Sequence, residues 1–174
     1  MHTATELLSR YAAYHRDRRN IVSHFVGVPI IVFAVGVLLA RPTVMLGGLA
    51  LTPAWIVCAL ACVWYLTRGS LVLGIAVSIG VAVLMWFAHG LAAGVAASLA
   101  WGAGLFVVGW VIQFIGHWYE GRKPAFVDDV IGLLVAPMFI VAEALFDLGW
   151  NPALLEEIER RVGPTVLRDL AKIA

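Results

Sequence analysis

The chain has 174 residues, enough for one ordinary domain or a small membrane bundle. Hydrophobic residues make up 62% and charged residues 13%, the net charge is +1, and the mean hydropathy is +0.93. A soluble domain carries about 25% charged residues, so this chain has too few to coat a water-facing surface. The same figures exclude disorder, a collagen-like rod, a disulfide scaffold and a basic nucleic-acid binder.

Thr3 followed by Glu6 is a capping-box pattern. It opens a helix to about His15, with Leu7, Leu8, Tyr11, Ala12 and His15 on one face. A polar interruption follows at residues 17–19, and Asn20 is the expected N-cap of the next helix. Residues 20–40, 42–67 and 69–119 contain no Asp, Glu, Lys or Arg. A membrane span needs about 20 apolar residues, so these stretches predict spans over 21–40, 44–66, 71–88 and 95–115. The first has no signal-peptide pattern. Ala92, Ala96, Ala100 and Gly104 recur every four residues, a spacing associated with close helix packing in lipid. Gly121 and Pro124 end the fourth span.

Residues 130–142 form a shorter apolar stretch, interrupted by Pro137 and followed by Glu143 and Asp147. A broken re-entrant or interfacial helix fits it better than a fifth crossing. Residues 151–173 read as an amphipathic tail helix, breakable at Gly163-Pro164, with Leu155, Ile158, Val162, Val166, Leu167 and Leu170 apolar. The expected fold is therefore an all-α integral membrane bundle of about four transmembrane helices, with a broken re-entrant or fifth helix and amphipathic ends. It forms one membrane-embedded domain over residues 1–174.

Arg10, Arg16, Arg18 and Arg19 precede the first span, and Arg122 and Lys123 follow the fourth. Arg160, Arg161, Arg168 and Lys172 lie in the tail. By the positive-inside rule both termini face the cytoplasm. Cys58 and Cys62, one turn apart in an expected span, read as small packing residues.

Polar residues near membrane depth are functional candidates, and two clusters stand out. Tyr11, Tyr14, His15, Asn20 and His24 form one. Gln113, His117 and Glu120, at i, i+4 and i+7, fall within about 60° on one helix face. His15 and His24 would point to opposite sides of a continuous helix, so they converge only if the chain turns between them. The topology puts both clusters at one membrane surface. Three imidazoles and a carboxylate there point to a metal site, with non-haem Fe(II) favoured. His15, His24, His117 and Glu120 are the candidate ligands. Asn20 and Gln113 are candidates for fixing the imidazole tautomers. Arg18, Arg19, Arg122 and Lys123 border the site as candidate clamps for an acyl carboxylate. His89, on the opposite surface, reads as interfacial. These residues alone also admit a haem held by His24 and His117, or a non-catalytic membrane scaffold.

The segments YAAYHRDRRNIVSHFVGVPI and GWVIQFIGHWYEGRKPAFVDDVIGLLVAP resemble the small membrane family of 2-hydroxy fatty acid dioxygenases. Tyr14, His15, Asn20, His24 and Pro29 carry the first half of the resemblance. Gln113, Phe114, Gly116, His117, Glu120, Pro124 and Ala125 carry the second. Residues 40–105 match only in hydropathy. The resemblance implies Fe(II)-dependent α-oxidation, in which a 2-hydroxy fatty acid and O2 give a fatty acid one carbon shorter in a lipid bilayer. It implies His15, His24 and His117 as catalytic iron ligands, with Glu120 a fourth ligand or a support to them.

Overall fold

The structure is a computed structural model and describes residues 2–169. Among the described residues seven α-helices run in the order α1 (Ala4–Ala12), α2 (Arg18–Leu39), α3 (Pro53–Leu66), α4 (Leu71–Leu91), α5 (Val95–Glu120), α6 (Gly132–Asp147) and α7 (Pro152–Val162). A two-stranded hairpin, β1 (Val44–Leu46) and β2 (Leu49–Leu51), separates α2 from α3.

Among the described residues three helices are long and apolar enough to cross a membrane: α2, α4 and α5. Their 22, 21 and 26 residues reach about 33, 31 and 39 Å at 1.5 Å per residue, against a hydrocarbon core of about 30 Å. They match three of the four expected spans. The stretch expected to cross at 44–66 divides instead into the hairpin and a 14-residue helix, about 21 Å long and too short to cross alone. Gly47 and Gly48, both at positive φ, turn the chain, and Pro53 starts α3. Hydropathy is equally high in strand and helix, so it could not separate them. The bent pair α6 and α7, broken at 119°, is the remaining candidate crossing or re-entrant element.

The central packing is between α2 and α5, which run antiparallel. Gly102, Gly109 and Gly116 form the seam on α5. A Cβ on Gly109 would lie 2.6 Å from Ile31 Cγ1, and one on Gly116 would lie 2.6 Å from Asn20 Oδ1. The stripe of small residues expected to pack does so only at Ala92, buried at the end of α4; Ala96, Ala100 and Gly104 are exposed, and Gly104 has open space around it. A seven-residue spacing drifts only about 20° per step on a helix, whereas a four-residue spacing drifts about 40°. The heptad glycines therefore stay on the partner face. Much of the remaining surface is large and apolar, Trp101, Val107 and Trp118 included, as lipid-facing helices require.

At the end of the bundle where α2 begins and α5 ends, α1, α6 and α7 gather. The Thr3–Glu6 capping box is formed, and Ala4 donates its N–H to Arg68 O at 2.9 Å. Leu7, Leu8 and Tyr11 pack with Phe139, Leu154 and Ile158 in one core. The amphipathic tail is helical only to Val162. From Gly163 (φ 85°) it runs extended, and Val166 pairs with residues 16–18 through two backbone hydrogen bonds. Leu170 and Lys172 of the expected tail helix lie outside the described residues.

Candidate metal centre

The expected turn between the two N-terminal histidines is present. α1 stops at Ala12, and α2 restarts with Asp17 as its N-cap rather than Asn20. Asp17 Oδ1 accepts from Arg19 N at 2.8 Å. Burial works to raise the Asp17 pKa. Hydrogen bonds from the Arg19 guanidinium and from the Arg168 and Arg19 backbone outweigh it and hold the carboxyl at about 2. Asn20 sits in the first turn of α2 and donates to Tyr14 O at 3.1 Å and to Glu120 at 3.2 Å.

Glu120, at the last position of α5, binds this turn from across the bundle. Its Oε2 accepts the backbone N–H of Arg16 at 2.9 Å and of Asp17 at 2.7 Å, besides Asn20. Its Oε1 accepts from Arg168 Nη2 at 2.6 Å. Both oxygens are thus engaged, and the group that could hold a metal consists of His15, His24 and His117 without it.

The three imidazoles are buried, and one nitrogen from each lies within 4.8 Å of the others. His15 Nδ1 donates to Tyr11 O at 2.7 Å, and His24 Nδ1 donates to Asn20 O at 2.9 Å. A carbonyl only accepts, so each Nδ1 carries the proton. Both Nε2 atoms are then bare lone pairs, and they face each other at 3.0 Å. A cation between them would relieve the repulsion of the two lone pairs. Imidazole–metal bonds of about 2.1 Å at right angles place two nitrogens about 3 Å apart. His117 Nδ1 is buried with no hydrogen-bond partner among the described residues. Burial first, and then the neighbouring imidazoles, push the His15 pKa well below its ordinary value and keep the ring in its neutral, ligating form. The donor set fits a first-row metal.

Tyr11 stacks on His15 with ring centroids 4.1 Å apart, and Phe139 closes on the same ring at 5.4 Å. The sequence places Tyr11 and His15 on one helix face and in one polar cluster, but it gives Tyr11 no role at the site. Phe139, on α6, had no sequence signal connecting it to the histidines. Arg16 was also missed as a site residue. It is buried, donates to His15 O and Gly163 O, and lies 3.8 Å from Glu143. The adjacent His15 was its only clue.

Most of the other candidates have partners of their own. Among the described residues Gln113 bonds no imidazole; backbone carbonyls set the tautomers of His15 and His24. Tyr14 donates its hydroxyl to Asp128 at 2.7 Å. Of the basic residues, Arg19 is held by both oxygens of Asp17, Lys123 pairs with Asp128 at 2.6 Å, and Arg122 donates to Ala13 O. Arg18 is exposed. His89 hydrogen-bonds Thr52 and Met85 O and stacks on Trp55 at the hairpin end of the bundle.

A cavity of about 60 Å³ opens against His24, His117 and Gln113, with apolar walls that include Ile31, Val32, Trp110 and Pro137. Those four residues also line a second cavity of about 220 Å³, which continues among α2, α3 and α4 to Leu39, Ala54 and Met85. The apolar walls that the two cavities share thus run from the histidines into the bundle.

The chain that carries this histidine cluster has known relatives. The family described as "2-hydroxy-palmitic acid dioxygenase Mpo1-like" matches residues 1–148. The chain belongs to that family. It is 33% identical over 156 residues to the Saccharomyces cerevisiae protein named 2-hydroxy-palmitic acid dioxygenase MPO1, covering 87% of this chain and 85% of the yeast one. No solved structure matches the chain.

Proposed function

We propose that this protein is an integral membrane dioxygenase, dependent on Fe(II), that α-oxidises a 2-hydroxy fatty acid to the fatty acid one carbon shorter. One 2-hydroxy acid and one O2 balance against the shortened acid, carbon dioxide and water. The observation that carries this reading is the pair of bare imidazole nitrogens facing each other at 3.0 Å beside an apolar-walled cavity. Family membership supports the substrate class.

His15, His24 and His117 would hold the iron. Iron would supply the redox chemistry that O2 needs to react with a closed-shell acid. The protein's own part is placement. Tyr11 O and Asn20 O fix the proton on Nδ1 of two rings, leaving Nε2 free. Glu120 is a positioning residue that holds the turn carrying His15. From His24 to Leu39 the walls of the two cavities follow 15 residues of α2, about 22 Å. An extended acyl chain advances about 1.3 Å per carbon, for C–C bonds of about 1.5 Å, so this length suits a long-chain tail. The whole chain, residues 1–174, acts as one catalytic unit, with the histidines and both termini on the cytoplasmic side by the positive-inside rule.

A haem between His24 and His117 is disfavoured. The His15 ring lies 4.3 Å from His24 and 4.9 Å from His117, centroid to centroid, and leaves no slot for a macrocycle. The test is iron content together with O2-dependent shortening of 2-hydroxypalmitate by the purified protein. Absence of both iron and shortened product would overturn the proposal, and a Soret band would revive the haem.

A further inference from the structure

Gln113 is buried, and its amide nitrogen and amide oxygen have no hydrogen-bond partner among the described residues. It lines the cavity that also touches His24 and His117. His117 is one helical turn further along α5. The amide lies over Gly27, where a Cβ would approach Gln113 Nε2 to 2.8 Å. Gly27 thus makes room for this side chain one turn from His24.

Resting on the function proposed above, we infer that Gln113 reads the 2-hydroxyl of the substrate. Among the described residues the unpaired groups are the amide nitrogen, which donates, and the amide oxygen, which accepts. A hydroxyl offers the complementary pair: it accepts from Nε2–H and donates to Oε1. An unsubstituted acid has nothing at C2 for either group. A 2-oxo acid accepts only and leaves Oε1 unpaired. A carboxylate likewise accepts only, and would set its charge against Oε1. A site that hydrogen-bonds a substrate hydroxyl rejects the analogue lacking it, because its own buried polar groups are then stranded. The apolar tail then continues past Ile31 and Trp110 into the bundle.

The test is competition against a bound fluorescent fatty acid, using full-length protein in detergent without O2, before and after chelation. The competitors are 2-hydroxypalmitate, 2-oxopalmitate and palmitate. The unaltered protein is expected to favour 2-hydroxypalmitate. Gln113→Met, linear and of similar volume, is expected to weaken 2-hydroxypalmitate by roughly tenfold, the loss of about one good hydrogen bond. Palmitate binding should stay unchanged, which also reports an intact cavity. Gly27→Ala should act in the same direction by displacing the amide. An unchanged preference for the hydroxy acid in Gln113→Met would overturn the role, as would equal loss of both ligands. If the unaltered protein binds palmitate and 2-hydroxypalmitate equally, the hydroxyl-reading role fails while a fatty-acid site stands. If it binds no fatty acid, the proposed function fails and takes the role with it.

Discussion

Replacing Glu120 by Ala removes one carboxylate and strands four donors: the backbone N–H groups of Arg16 and Asp17, the Asn20 amide and the Arg168 guanidinium. Three of these lie in or beside the turn that presents His15. A hydrogen bond to a charged group contributes about 1.5–3 kcal/mol, but the four are not additive, and Arg168, about 31% exposed, regains water. Breaking a buried pair by deleting one partner typically costs about 3–5 kcal/mol, and we expect a loss in that range. For a chain of this size it corresponds to a fall of roughly 10 °C in the unfolding midpoint. Iron content should fall with it, because His15 loses its fixed position. Glu120→Gln keeps one acceptor for the two backbone donors and should recover part of the loss. The assays are thermal unfolding in detergent and iron per chain for both variants. The reasoning is refuted if Glu120→Ala unfolds at the same temperature as the unaltered protein. Loss of iron with unchanged stability would instead identify Glu120 as a ligand.

Three further outcomes follow from the same geometry. Alanine at His15, His24 or His117 should each abolish iron binding and turnover while the protein stays folded, and chelation should lower the unfolding midpoint only of protein with all three; full activity in His117→Ala would be inconsistent with the metal centre. Gly116→Ala drives a Cβ into Ser23 and Asn20 and should cost about 1–3 kcal/mol by overpacking, whereas Gly104→Ala should leave the unfolding midpoint unchanged. Asp128 is held below its ordinary pKa by the Lys123 ammonium and then by the Tyr14 hydroxyl. Its contribution is therefore present above the unfolded carboxylate pKa of about 4 and lost as pH falls through the lower folded value. Proteolysis or hydrogen exchange of the 122–131 segment should rise in that acidic window, and Asp128→Asn should raise it at neutral pH and flatten the dependence.

Three spans were legible because lipid offers backbone groups no partners. Long uncharged runs around α2, α4 and α5 have few alternatives to a helix. Run length said nothing of the glycine pair that turns 44–51 into a hairpin. The capping box, the Gly121 stop and the break at Gly163 were legible because local chemistry alone decides them. The histidines were legible as residue types out of place in an apolar chain. Their convergence required a turn whose need the sequence implied through the opposed faces of His15 and His24.

Residue type and spacing by themselves determined a membrane bundle with three imidazoles at one end. Only the tertiary structure decided how the surrounding groups divide their work. Glu120 and His117 share a face of α5, yet one carboxylate is used up by a turn about 100 residues away in sequence. Gln113 shares that face too, yet neither of its amide groups has a partner among the described residues beside the cavity. Arg19 and Lys123, basic residues beside the site, are occupied by Asp17 and Asp128. A side chain's role depends on which partner reaches it first, and those partners come from distant parts of the chain, so periodicity along one helix cannot reveal them.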